Sequence, residues 1–439
     1  MPQQPPLPQQ HPQRALLHNE VHARPPEPLS APLALTHIVM WTDAAGRAAS
    51  RAHLAALLRD HHLPPPDDHT THLRIDLGGF RLRWELHTEF VTWTFSVPLP
   101  EGTVAARAQP PAAVESVPHA WLGKLPGQCL CGLHLWVLPA GHARDDTCTL
   151  VRQMLREDSL VASAVADGQA EVVTDFAIHA DGYSRMLLLA GELSPRRLGR
   201  LVLRLLEIET YRMAALLGLP AARSVGQELA QAEGELAALA EAIRSASRND
   251  EPELLDRLTR LAGKVESQYA ATHSRFSASR AYFELVDKRI QDIAETRLPG
   301  MQTIRDFMER RVSPARATCE WAARRQDALS QRVSRVSNLL RTRVEIEQQQ
   351  SSQALLAAMN QRQGLQLKLQ STVEGLSVAA ITYYIAGLVG HLARGAQGLG
   401  WPLAPETTVA LAIPVVAAGV WGSLRRLHHR IFPREPVRG

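Results

Sequence analysis

Near its carboxyl end the chain carries two runs without an Asp, Glu, Lys or Arg, and nothing else limits its folding as strongly. Gly375–Ala393 reads GLSVAAITYYIAGLVGHLA, 19 residues, and Thr407–Leu424 reads TTVALAIPVVAAGVWGSL, 18 residues. At 1.5 Å of rise per residue each makes a helix of about 27–29 Å, close to the ~30 Å hydrocarbon thickness of a bilayer. A pair of buried core helices would have the same length. The bilayer reading is favoured because the two runs are neighbours in a chain whose other helical stretches are heavily charged. We expect a first membrane helix over 373–393, an external loop over 394–406 and a second membrane helix over 407–424.

The link RGAQGLGWPLAPE is short and rich in Gly and Pro, which predicts a tight transmembrane hairpin. Arg425, Arg426, Arg430, Arg434 and Arg438 follow the second run, Arg362 and Lys368 precede the first, and the link holds Arg394 offset by Glu406. Positive charge stays inside, so both termini are expected in the cytoplasm, with the protein multi-pass in the inner (cytoplasmic) membrane. The basic tail, 425–439, is expected to meet anionic lipid headgroups. Ala386 and Gly390 on the first run, and Ala418 and Gly422 on the second, have the spacing that lets helix backbones approach. Tyr383 and Tyr384 lie mid-span, where a hydroxyl needs a partner, so at least one should face another helix.

Composition excludes several classes. A net charge of +4 over 439 residues is too small to imply a nucleic-acid partner, and four cysteines are too few for a disulfide framework, which points to a reducing compartment. The opening MPQQPPLPQQHPQ lacks the basic patch and apolar core of an export signal and is expected to be a disordered tail over 1–13.

Residues 221–372 read as a helical, coiled-coil-like stalk. Apolar side chains recur at three-four spacing: Leu229, Leu236, Leu239, Ile243, then Leu254, Leu258, Leu261, Val265, then Phe283, Val286, Ile290, Ile293, then Leu329, Val333, Val336, Leu340. These helices could pack on one another or on a second subunit. RNDEP at 248–252 and LPG at 298–300 are breaks, and Pro314 starts or kinks the last helix. No proline follows until Pro402, so one helix is expected to run from the stalk into the first span.

Residues 14–220 read as a cytoplasmic α+β sheet domain. Leu73, Ile75 and Leu77 alternate with polar residues, Gly78-Gly79 supplies a two-residue turn, and Phe80, Leu82, Trp84 and Leu86 resume the alternation. Further strands are expected at 91–97, 35–41, 130–138, 160–166, 170–178 and 183–189. Helices are expected over 44–60 and 195–217, the second N-capped by Ser194 with Pro195 next and ending at Gly218.

Metal ligation has two weak candidate sets: His61, His62, Asp67, His69 and His72 in one loop, and Cys129, Cys131 and His134 in CLCGLH, where two thiols two apart on a strand share a face. Solvent-facing connectors and small buried residues are the preferred explanations of these sets, so no cofactor is expected. HNEVHARPP, with His18 and His22 four apart, is no zincin site, because Glu20 is two after the first His.

Three motifs, NEVHARPPEPL, EIETYRMAALLGLP and STVEGLSVAAITYYIAGLVG, together resemble an uncharacterised bacterial family of predicted membrane-anchored proteins, domain of unknown function 3422. The resemblance implies that Asn19, Glu20, His22, Arg24, Pro25 and Pro26 belong to its signature, a docking strip or a ligand-contacting one, and it implies no established activity. Three functional classes follow. The first is a non-enzymatic, membrane-anchored sensor, scaffold or assembly factor, forming homo-oligomers through stalk and spans. The second is an oligomeric ion transporter similar in layout to CorA-type magnesium channels but lacking their Gly-Met-Asn motif. The third is a metal-dependent enzyme in the front domain. The first is preferred.

Overall fold

The computed structural model describes residues 9–15, 17–18, 25–102, 109–141, 144–247, 250–398, 400 and 402–431. The chain divides into two units, Met1–Ser337 and Asn338–Gly439.

The first unit is built on a nine-stranded mixed sheet. Its strands are β1 (Leu33–Trp41), β2 (His72–Asp76), β3 (Arg81–Leu86), β4 (Phe90–Pro98), β5 (Gln128–Pro139), β6 (Val161–Val165), β7 (Ala170–Thr174), β8 (Ser184–Ala190) and β9 (Thr296–Arg297). They lie in the order β2-β3-β4-β1-β5-β8-β7-β6-β9. β5 and β8 run parallel; the other neighbours are antiparallel. The Gly78-Gly79 turn closes as the sequence predicts. The Leu77 amide donates to the Phe80 carbonyl at 2.9 Å, and Ile75 faces Leu82 and Leu73 faces Trp84 across the ladder. Gly78 takes φ +81°, open to glycine without strain.

Central strands are apolar on both faces because both faces are covered. On β5, Leu133, Leu135 and Val137 enter one core with helices α3 (Pro195–Leu216) and α5 (Glu251–Asp292). The alternate residues Trp136 and Leu138 enter the other, with α1 (Ala44–Asp60) and α2 (Arg144–Met154). α1 begins at the Asp43 cap, whose side chain accepts from the Gly46 amide at 2.8 Å, and buries Leu54, Leu57 and Leu58. The result is three layers, helix on sheet on helix.

α3 ends at Leu216, within one residue of the expected end, and Leu217 alone separates it from α4 (Gly218–Ser245). Pro220 occupies the first turn of α4, where its missing N–H has no helical acceptor to lose. α5 stops at Asp292 rather than at the LPG break, because Thr296–Arg297 leave the helix to pair with β6. α6 (Ile304–Arg311) follows. Its free amides are held by Thr303, which accepts from Asp306, and by the Glu295 carboxylate, which accepts from Ile304 and Arg305 at 3.1 and 2.9 Å and from the Ser163 hydroxyl.

α7 is a single helix of 85 residues, Ser313–Gln397, with Pro314 in its first turn. Most of the three-four apolar residues of α4, α5 and early α7 are buried, with Ile243 and Val336 half-buried. Ala222, Phe276, Cys319 and Ala322 pack together, and Arg325 of α7 grips Glu233 of α4 through both carboxylate oxygens. The second unit comprises α7 from Asn338 onward and α8 (Pro405–Ile431), which carries Pro414 inside it.

Trp84 is fully buried and donates its indole N–H to the Ser50 hydroxyl at 3.1 Å, tying the sheet to α1. Trp84→Ala is expected to cost about 3–5 kcal/mol, read as a lowered urea midpoint of the full chain in detergent with an unchanged denaturant slope.

Candidate functional site

On the first unit the densest polar constellation lies where α3 crosses the sheet. Glu207–Met213, EIETYRM, sits in the second half of α3, where a helix packed against a core would ordinarily be apolar. Each polar residue finds a partner on a different element. Glu207 pairs with Arg289 of α5. Glu209 is held bidentately by Arg212, at 2.9 and 2.6 Å, one turn on, and accepts from Ser184 of β8 at 3.3 Å. The Arg212 guanidinium lies 5.2 Å over the Phe176 ring, and its protonated form is held firmly by the adjacent Glu209 against the cost of burial. Tyr211 stacks on Tyr282 of α5. Burial pushes the Glu207 carboxyl up, and Arg289 opposes that shift.

Thr210 reaches His37 at the centre of β1. The Thr210 hydroxyl donates to the Leu206 carbonyl at 2.9 Å, so it accepts from His37 Nε2, at 3.0 Å. That assigns the proton to Nε2 and makes Nδ1 the acceptor for the Thr94 hydroxyl, at 2.7 Å. With both nitrogens engaged and the ring buried beside Arg83 and His87, the pKa falls to about 3, chiefly by desolvation. The groove over this histidine is bordered by Arg83, Glu85, His87, Thr94 and Glu207. Arg83 pairs with Glu85 at 2.7 Å, leaving its Nε without a partner. Chemically the seam is a lock: its histidine is neutral with both nitrogens occupied, which suits holding α3 to the sheet and not proton transfer.

A second buried histidine, His134, meets the Thr36 hydroxyl at 2.9 Å and stacks on Tyr183 at 4.1 Å; burial lowers its pKa to about 4. Its proposed thiol neighbours are separated by a bulge. β1 and β5 shift register at Val39/Met40, so Cys131 faces Val39 and Cys129 faces Met40. Cys131 is buried with Val39 and Phe90, its thiol pushed well up by burial, while Cys129 is exposed. The expectation that both thiols share a face fails on that one extra residue. In the loop set, His61 lies edge-on to Phe80, His72 pairs with Glu85 on the sheet, and Asp67 accepts from the Thr70 hydroxyl at 2.6 Å and the His69 amide at 3.0 Å, which lowers its pKa. His62 takes φ +59° at the end of α1. Among the described residues no three His, Cys, Asp or Glu side chains are grouped to hold a metal.

Of the signature strip, Asn19, Glu20, His22 and Arg24 lie outside the described residues, and Pro25 and Pro26 are exposed. The segment that follows docks on α3. The Leu29 amide donates to the Pro195 carbonyl at 3.0 Å, and a Cβ on Gly199 would stand 1.7 Å from the Glu27 carbonyl oxygen. The glycine is what lets this strand of chain lie on the helix.

On the second unit, Ala386, Gly390 and Ala393 of α7 are buried, and a Cβ on Gly390 would stand 3.1 Å from Val409 of α8. On α8 the half-buried positions include Val409, Ala412, Val416, Val420 and Gly422, while Ala418 is exposed. Both helices are long and apolar enough to cross a membrane.

The fold therefore defines a class: a mixed-sheet α/β body, a long helix, and two apolar helical stretches at the end of the matched region. The model of the family described as protein of unknown function (DUF3422) matches residues 9–431, and the chain belongs to that family. No curated protein and no solved structure matches it.

Two measurements test the seam. Gly199→Ala must displace Glu27 and is expected to cost about 1–3 kcal/mol, with faster proteolysis before Leu29. For His37 the folded pKa lies below the unfolded 6.5, so its contribution is complete above pH 6.5 and lost as pH falls toward 3. His37→Gln should then lose about 1.4 kcal/mol of its pH-dependent difference from the parent per pH unit across that window, read in paired urea titrations at pH 7, 6 and 5.

Proposed function

We propose that this protein is a bilayer-anchored, non-enzymatic sensor, scaffold or assembly factor. It spans the inner membrane through the end of α7 and through α8, with both termini and the α/β body in the cytoplasm. One observation carries the reading. The large apolar side chains of both stretches stand exposed, with Leu376 74%, Leu392 68%, Leu411 66% and Val415 72% accessible. A core helix of a water-soluble body hides such residues; none of the apolar window on α8 is buried, and 22% of that on α7 is. Leaving each in water forgoes about 1.5–3 kcal/mol, which hydrocarbon recovers.

The flanks support the orientation. Arg425 lies 5.0 Å over the Trp421 ring at the end of the second stretch, an aromatic and a cation together where chain meets headgroups. The lock in the body supports the non-enzymatic part, since its histidine and paired carboxylates are committed to holding structure.

The full chain is expected in the membrane pellet after lysis, resisting alkaline carbonate and released by detergent. A cytoplasm-active reporter fused at either end should be active, and a periplasm-active one silent. Recovery in the supernatant, or a periplasmic signal from either end, overturns the reading.

A further inference from the structure

α7 carries a second stripe, which ends beside the face that meets α8. Positions 355, 359, 362, 366, 369, 373, 376, 380, 383 and 387 step alternately by four and three, and all ten are exposed. Arg362 and Gln366 are polar; the others are Leu355, Met359, Leu369, Val373, Leu376, then Ala380, Tyr383 and Gly387. From Leu369 to Gly387 the 3.5-residue repeat is apolar or small at every position, and Leu355 and Met359 extend it beyond the two polar positions; such a repeat is the pattern of a helix that supercoils with another helix. At about 100° per residue the stripe centres roughly a quarter of a turn from Ala386 and Gly390, and Tyr383 and Gly387 lie nearest to them. The remaining face presents Ile381, Ile385, Leu388 and Leu392, large aliphatic side chains suited to lipid.

We propose that a second copy of this chain packs along this stripe, parallel and in register, from Leu355 to Gly387. The proposal rests on the bilayer reading, and three observations select a copy over other occupants. Leu355, Met359 and Leu369 precede Gly375 by about 30, 24 and 9 Å of helix, beyond the reach of hydrocarbon, and Leu369 is 67% exposed. Lipid therefore cannot cover the stalk half of the stripe. The stripe passes from the solvated half into the uncharged half without changing register, so its cover is a helix that makes the same passage in the same direction. A copy anchored in the same bilayer does so and sets each position opposite its twin. Lastly, Tyr383 is 77% exposed, mid-span, and its hydroxyl has no hydrogen bond among the described residues. In hydrocarbon that group requires a partner, and the twin hydroxyl lies at the same depth. Arg362 and Gln366 fall in the solvated half, where they keep water and discourage a slipped register.

The test uses the full chain in its own membranes, with exposed Cys129 and Cys148 replaced by Ser. Single cysteines are placed on the stripe (Leu369→Cys, Val373→Cys, Leu376→Cys) and off it (Leu367→Cys, Gln370→Cys), then oxidised with copper phenanthroline. A disulfide-linked species of twice the 48.3 kDa chain mass is expected at the three stripe positions, with at least fivefold less at the two others. Tyr383→Phe should lower the cross-linked fraction at Leu376→Cys about threefold, as expected for one interhelical hydrogen bond in a membrane. Equal cross-linking at all five positions, none at any, or adducts only with another protein would overturn the pairing. Sedimentation of the same samples keeps the two readings apart: a pelleted protein without the pattern refutes the pairing alone, and one left in the supernatant refutes the anchor.

Discussion

The burial of charge beneath α3 governs how the body is put together. Taking a carboxylate or guanidinium out of water costs several kcal/mol per ion unless a partner replaces the solvent. α3 brings Glu207, Glu209 and Arg212 to the sheet, and the fold answers each: Arg289 from α5 for the first, an internal bidentate pair and Ser184 for the others. Because α5 supplies Arg289 and Tyr282 to α3, and β1 supplies His37, the seam fixes three elements at once. Apolar contacts alone tolerate sliding by a residue or more. A bidentate pair and a histidine held at both nitrogens do not, so the seam sets the register of helix on sheet where the apolar core supplies the bulk of the energy.

Local order was readable from sequence to the extent that local chemistry decides it. The Gly78-Gly79 hairpin and α1 from Ala44 to Asp60 follow from alternation, turn residues and helix periodicity, and the start of α3 from Pro195 in its first turn, with no capping bond from the Ser194 side chain. What failed was decided elsewhere. α3 ends where Gly218 and Pro220 put it, but that the same residues open the next helix at once shows only in the abrupt α3 to α4 junction. The bulge that parts Cys129 from Cys131 belongs to the pairing with β1, and no property of CLCGLH announces it.

The site was the least legible part. Glu207, Glu209, Thr210 and Arg212 were visible only as a family motif, although polar residues three apart inside an apolar helix are themselves a signal of buried pairing. His37 carried no signal, because a lone histidine in a strand resembles many others until Thr94 and Thr210 are brought to it across the sheet and from α3. The docking of Glu27–Leu29 turned on Gly199, a glycine inside a helix, which sequence rules treat only as a small penalty. The apolar stretches of α7 and α8 were the most legible, since length and absence of charge depend on no partner.

The parallel pairing of β5 with β8 has a bearing on how the chain acquires its structure. β2, β3 and β4 are joined by short turns and can zip as soon as they are made, as can β7 with β8. β8 reaches β5 only after everything from Ala140 to Tyr183 has been laid out, and closing so long a loop is slow because its entropy is spent before any contact repays it. The two halves of the sheet should therefore mature separately, with the Leu133–Pro139 edge of β5 unpaired in the interval. That edge is the segment most exposed to misassociation during biogenesis, and the place where a chaperone would be expected to bind first.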